Sequence, residues 1–477
     1  MLKVKIMTEA LIQTGNKILI LLLSMFLVSC SPTGSPSDDL NSSIAIEHVT
    51  IIDAKHGLQE DMTVIFEADE IRHVSSSLSA PAASKTIDGT GKFLIPGLWD
   101  MHVHLTYDDR FTATMPATFL SYGITSVRDT GGLLSKIIPV VEEMRKPGAI
   151  APRVYFSGPL LDGEHVVYDG NSRPEIGVRN EDVARARQNV QALKARGADF
   201  IKIYELVSPA VFATLVEEAN SLNMPIASHV PLSMTASTAG PHVGSMEHLR
   251  NVELDCANNY ADLHRARVQA LLNYVPGSGH ELRSSLHNSQ RIPAVEAFDE
   301  ERCAAVLSAL RSTTQVPTLR LNAMALIPPF ERNDWQAALQ DMVPEVQSEW
   351  LTPPSWFEPD MAKREVRFQK YSIEMVGRMH KAGVPIGAGT DTPIGMAIPG
   401  YSLHNELAFL VRAGLTPLEA LKSATIRPAE FLNLENQMGT IEVGKVADLV
   451  LLSANPLEDI GNTRKIELVI SKGNLVD

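Results

Sequence analysis

The chain has 477 residues, with 42 Lys and Arg against 56 Asp and Glu, a formal charge of −14. So acidic a surface excludes general nucleic-acid binding, which needs basic groups to displace phosphate counterions. Hydrophobic residues at 44% and charged residues at 21% describe a globular protein, and three cysteines, Cys30, Cys256 and Cys303, exclude a disulfide framework and a cysteine-rich zinc site.

Residues 1–29 read as an export signal: Lys3, Lys5 and Lys17 precede an uncharged apolar run from Ile18 to Val28 that is too short for a membrane-spanning helix. The run ends in Leu27-Val28-Ser29-Cys30, which resembles a bacterial lipoprotein signal. That resemblance implies lipid on Cys30, a membrane as partner through that lipid, and a folded body in the periplasm. Ser31 in place of an Asp behind the cysteine favours the outer membrane. An ordinary secretory signal with an incidental cysteine is the alternative. Residues 30–43, rich in Ser and Pro, form the expected tether.

Residues 44–95 hold short β-type runs such as Val49 to Ile52 and Met62 to Phe66, and residues 436–477 do the same from Ala447 to Leu452 and Ile466 to Ile470. Each end alone has too few strands to bury two faces, so the two are expected to meet in one composite β-sandwich. From 96 to 435 the pattern changes to short apolar strands alternating with helical periods, such as a helix from Glu181 to Arg196 before a strand at Phe200. With the run from Leu94 to His104 that leads into this region, eight strand-like runs are counted, the others beginning near Ile124, Arg153, Phe200, Pro225, Ser245, Val316 and Val384. This predicts an α/β fold, a (β/α)₈ TIM barrel, with a doubly wound open sheet as the alternative. Two connections are too long to be structureless and predict helical insertions at about 255–315 and 325–380.

Chemistry-bearing residues gather at the ends of these runs. His102 and His104 are two apart on the first strand and face the same way, as either a packed pair or a pair of metal ligands. Lys202 lies inside an apolar strand, where an unpaired ammonium is costly. His229, His248 and Asp391 each end or follow a strand, and barrel catalytic groups come from strand C-termini.

In this order, and with Pro96 to His104, Gly197 to Tyr204, Ala413 to Leu421 and Gly439 to Val450, the residues resemble the amidohydrolase superfamily, in its imidazolonepropionase-like and Xaa-Pro-dipeptidase-like branch. The resemblance spans nearly all of 44–477. It implies two divalent ions, usually zinc, with His102, His104 and Asp391 on one and His229 and His248 on the other. Lys202 would bridge them as a carbamate formed with carbon dioxide. A shared hydroxide would attack a scissile carbonyl while Asp391 carries its proton to the leaving nitrogen.

The expected substrate is a small amide such as a dipeptide or N-acyl amino acid. Lactone or ester hydrolysis on the same site, mononuclear deaminase chemistry, and a non-catalytic binding scaffold are the alternatives, and self-association is left open. For substrate contacts, Tyr204 shares the inward face of Lys202, His165 lies in a loop after the third strand, and Arg320 follows the seventh strand, where it would meet a substrate carboxylate. His404 is left out of the metal set. His242, His264, His280, His287 and His380 lack strand-end placement and are read as solvated or structural.

Overall fold

A computed structural model describes residues 42–171, 173–274, 278–353 and 359–476. The export signal, Cys30 and most of the tether lie outside them.

The first strand, Ile44–Asp53, turns back at Gly57, whose φ of +70° suits a residue without Cβ, and pairs antiparallel with Gly57–Glu67. Glu70–Ser76 extends this hairpin. On the other side Ile44–Asp53 runs parallel to Phe93–Pro96, which is itself antiparallel to Leu449–Leu452. Ile466–Ser471 and Asn474–Val476 follow, and Lys85–Asp88 also pairs with the first strand. Both ends of the chain therefore share one eight-stranded sheet. The sheet curls back on itself. Ile71 N–H donates to Lys445 and Gly444 N–H to the Ile71 carbonyl, and the curl encloses Ile46, Ile51, Phe66, Leu449 and Ile470.

The barrel strands are Leu98–Val103, Ile124–Asp129, Arg153–Phe156, Ile201–Ile203, Ile226–Ser228, Ser245–Glu247 and Thr314–Val316. The third bends, so that Leu160–Leu161 rather than Arg153–Phe156 pairs with the fourth. The eighth position is filled by 384–388. Gln315 N–H donates to Pro385 and Met101 N–H to Ala388, at 2.8 and 2.9 Å, closing the ring back to the first strand. Helices cover the outside. Val183–Ala195 starts at Asp182, whose side chain accepts the Arg185 N–H, and it buries Ala186, Val190 and Leu193 at three- and four-residue spacing.

After the sixth strand come Tyr260–Leu272, Gly279–Glu296 and Glu300–Ala309. Cys256 and Cys303, 47 residues apart, form a disulfide at the base of this insertion. The later connection carries Asn333–Leu339, Pro344–Trp350 and Pro359–Lys381, the last leading into 384–388. Among the described residues no helix is long and apolar enough to cross a membrane.

Candidate active site

His102 and His104, two apart on a pleated strand, project together, and each Nε2 lies 3.2 Å from Asp391 Oδ1. The rings of His102 and His248 are 4.5 Å apart, and those of His248 and His229 are 4.9 Å apart. All of these side chains are buried, as is Lys202. His248 and Asp391 have φ of +61° and +64°, a left-handed conformation that side chains other than Gly adopt at a cost and that recurs at functional sites.

The second nitrogen of each ring is already engaged. Nδ1–H donates from His102 to Glu247 Oε2, from His104 to the Gly131 carbonyl, and from His229 to Glu205 Oε1, at 2.7, 3.0 and 2.7 Å. The Thr318 hydroxyl donates to the Pro317 carbonyl and so accepts Nδ1–H of His248 at 2.7 Å. Four Nε2 lone pairs are thereby turned to the centre, the tautomer a metal requires. Burial first, then the Lys202 charge, pushes the His229 imidazolium down to about 3, so the ring is neutral.

Lys202 Nζ is buried without a hydrogen bond, 3.9 Å from Glu247 Oε1. Burial pushes its ammonium down to about 8. Burial would raise Asp391, but His248, His102 and His104 outweigh it and hold the carboxyl well below its usual range. Nitrogen ligands with one carboxylate and a buried amine that makes no hydrogen bond fit a divalent ion of zinc type. His102, His248 and Asp391 already bring ligand atoms within 4.8 Å of one another.

Three acidic residues that sequence reasoning missed support this set. Glu247 also accepts from Arg128 Nη2 and Ser245 Oγ, both at 2.8 Å. Burial opposes its charge, but Arg128, Lys202 and His102 keep it ionised. Glu205 accepts from Arg283 Nε at 3.1 Å and lies 2.9 Å from His287 Nε2, which brings into the support of the site a histidine read as solvated or structural. Asp100 accepts from the N–H of His102 and of Thr390, tying the first strand to the approach to Asp391.

Tyr204 comes to the site, its ring 4.4 Å from that of His229, and burial keeps its phenol protonated. Arg320 does not. Its guanidinium is buried and donates to the carbonyls of Thr390, Ile394 and Gly395, in and beside the loop after Asp391, and the left-handed turn at Thr318 precedes it. His165 is also absent from the cavity over the site; its ring packs edge-on against Tyr274 at 4.5 Å. His404 is structural, bonded to Thr463 and the Tyr122 carbonyl. The cavity itself, about 1170 Å³, opens between Tyr107, Pro393 and the helix Gly279–Glu296.

Residues 343–476 match the model of the amidohydrolase family. An ochratoxinase of Aspergillus niger is 26% identical over 424 residues, covering 77% of this chain and 71% of that protein. An imidazolonepropionase of Idiomarina loihiensis is 23% identical over 451 residues, covering 87% and 91%. Among solved structures a Xaa-Pro dipeptidase superposes with a TM-score of 0.65 at 19% identity, over 91% of this chain and all of that one, a likeness of fold. The last part of the chain is thus similar to the amidohydrolase family, and the barrel shares its fold with a Xaa-Pro dipeptidase, around a converging set of metal-type ligands.

Proposed function

We propose that the protein is an envelope-anchored binuclear amidohydrolase that cleaves the amide bond of a small substrate, a dipeptide or N-acyl amino acid. The observation that carries this reading is Lys202: a buried amine with no hydrogen bond, among four histidines whose outer nitrogens are all engaged. Carboxylated by carbon dioxide, Lys202 would become an anionic oxygen ligand able to help hold divalent ions. Zinc ions held by His102, His104 and Asp391 and by His229 and His248 would make hydroxide available near neutral pH and polarise the scissile carbonyl.

The chain's own groups do the rest. Asp391, kept ionised by its three histidine neighbours, accepts the proton of the attacking water and passes it to the leaving nitrogen. Tyr204, a protonated phenol beside His229, donates to the carbonyl oxygen as charge develops on it. Glu247 and Glu205 hold their imidazoles in the tautomer and orientation described above.

The test is zinc content and amide turnover in Lys202→Ala. The reading expects less than the parental two ions per chain and loss of hydrolysis across a panel of dipeptides and N-acyl amino acids. Two bound ions with parental kcat would sink it. For the anchor, Cys30→Ala should move the protein from the membrane to the soluble fraction, and unchanged partitioning would remove the lipid.

A further inference from the structure

The lining of the cavity over the site changes character along the barrel rim. Every residue that lines it between Arg173 and Arg291 is polar, and these come from the segments after the third and sixth strands. Leu321 and Met324, after the seventh strand, and Ile394 and Met396, after the eighth position, are apolar, as are Trp350 and Pro353 from the connection between them. Strands three to six and strands seven, eight and one occupy different arcs of a closed ring.

Contacts keep each insertion with its arc. The helix Gly279–Glu296 turns His280, Arg283, His287 and Arg291 to the cavity at three- and four-residue spacing, and Arg283 bonds Glu205, just past the fourth strand, at 3.1 Å. Trp350 stacks on Phe111, after the first strand, and on Trp335, whose Nε1–H donates to the Met396 carbonyl. The charges on the apolar arc answer one another: Arg110 bonds Asp108 and Glu349 at 2.7 Å each.

On the basic arc two arginines are only loosely answered. Arg250, two residues past His248, comes no nearer than 4.0 Å to Glu205, and Arg291 Nε stays 3.8 Å from Glu253. Neither Nε makes a hydrogen bond, a costly state for a buried donor. Burial first, then the charge of Arg250, pushes the Arg291 guanidinium down to about 10, so the two cations are close enough to repel. An anion between them relieves both.

We propose that the substrate is an amino acid acylated by a bulky apolar group, its carboxylate held by Arg250 and Arg291 and its acyl chain laid on Leu321, Met324 and Trp350. This rests on the reading of the site as an amide hydrolase. Guanidinium planes recognise carboxylates bidentately, and an apolar chain gains by displacing water from the apolar arc.

The experiment is a square of four compounds on the zinc-loaded full-length protein: N-hexanoyl-alanine, N-acetyl-alanine, and the C-terminal amides of both. kcat/KM is measured by product release and affinity by calorimetry. Loss of the carboxylate, and shortening of the chain, should each lower both by roughly 10- to 100-fold. Arg250→Gln should erase the carboxylate effect and keep the chain-length effect, whereas Met324→Ala should shrink the second and keep the first. Arg291→Gln, farther along the chain from the metal ligands, decides the carboxylate arm if Arg250→Gln binds less zinc. Equal handling of all four compounds overturns the proposal while leaving amide hydrolysis standing. Variants that weaken all four equally also overturn it, since the two arcs would then be structural. Tightest binding of N-hexanoyl-alanine, with none of the four cleaved, upholds the proposal and sinks the amide reading instead.

Discussion

The floor of the site and its wall are built on opposite principles. On the floor, strand ends deliver four imidazoles whose outer nitrogens have fixed partners, and Lys202 Nζ is the one ligand-set atom left over. On the wall, the segment at Arg250 and the helix Gly279–Glu296 bring in guanidiniums whose donors are only partly matched. A ligand set whose geometry is fixed in advance holds ions without reorganising, whereas a wall with open donors is completed by what binds it. The first arrangement suits a resident group and the second a passing one.

The sharpest way to break this contrast is Asp391→Asn, which keeps an oxygen for metal and removes the base. At saturating zinc, kcat should fall by on the order of 10²- to 10⁴-fold, read as turnover per bound ion. A fully metallated variant with near-parental kcat would reduce the floor to a metal holder. Next in size is the wall's own tether. Cys256→Ala with Cys303→Ala opens a loop of 47 residues that carries the helix Gly279–Glu296, and chain entropy predicts a loss of about 4 kcal/mol. A urea midpoint equal to the parent's would mean the insertion holds itself.

Glu247→Gln tests whether the floor depends on charge behind its rings: zinc affinity should drop by roughly 10- to 100-fold, measured by competition with a chelator. Unchanged affinity would leave His102 oriented by packing alone. The smallest effect belongs to Thr318→Val, which removes a neutral acceptor from His248 Nδ1 at nearly constant shape. A loss of roughly 2- to 10-fold in zinc affinity is expected. A loss as large as that of Glu247→Gln would erase the distinction between charged and neutral support.

These predictions also mark what was legible in the sequence. His102 and His104 could be paired because strand alternation puts residues two apart on one face. The same rule hid Glu247: if His248 faces inward, its neighbour should face out, yet the φ of +61° at His248 breaks the alternation and brings both to His102. Glu205, next to Tyr204 in an apolar segment, was a charge in want of a buried partner, and that signal was there to be used. Arg320 could be placed just past a strand, but the three carbonyls it donates to come from a loop some seventy residues later, which only tertiary structure supplies. The disulfide was equally invisible, since connectivity depends on where the insertion folds back.

The curled sheet sets the order in which the molecule can be finished. Phe93–Pro96 matches only two residues of Ile44–Asp53 but four of Leu449–Leu452, roughly 350 residues later in the chain. During synthesis the early strands must wait, with an unfilled edge, until nearly all of the barrel has been made. Pairing across so long a stretch is entropically slow, and an open edge invites other strands in the meantime. The last strands to be made thus act as a latch that seals the first, and a chain released before Leu449 would leave the early half of the sheet with an exposed edge.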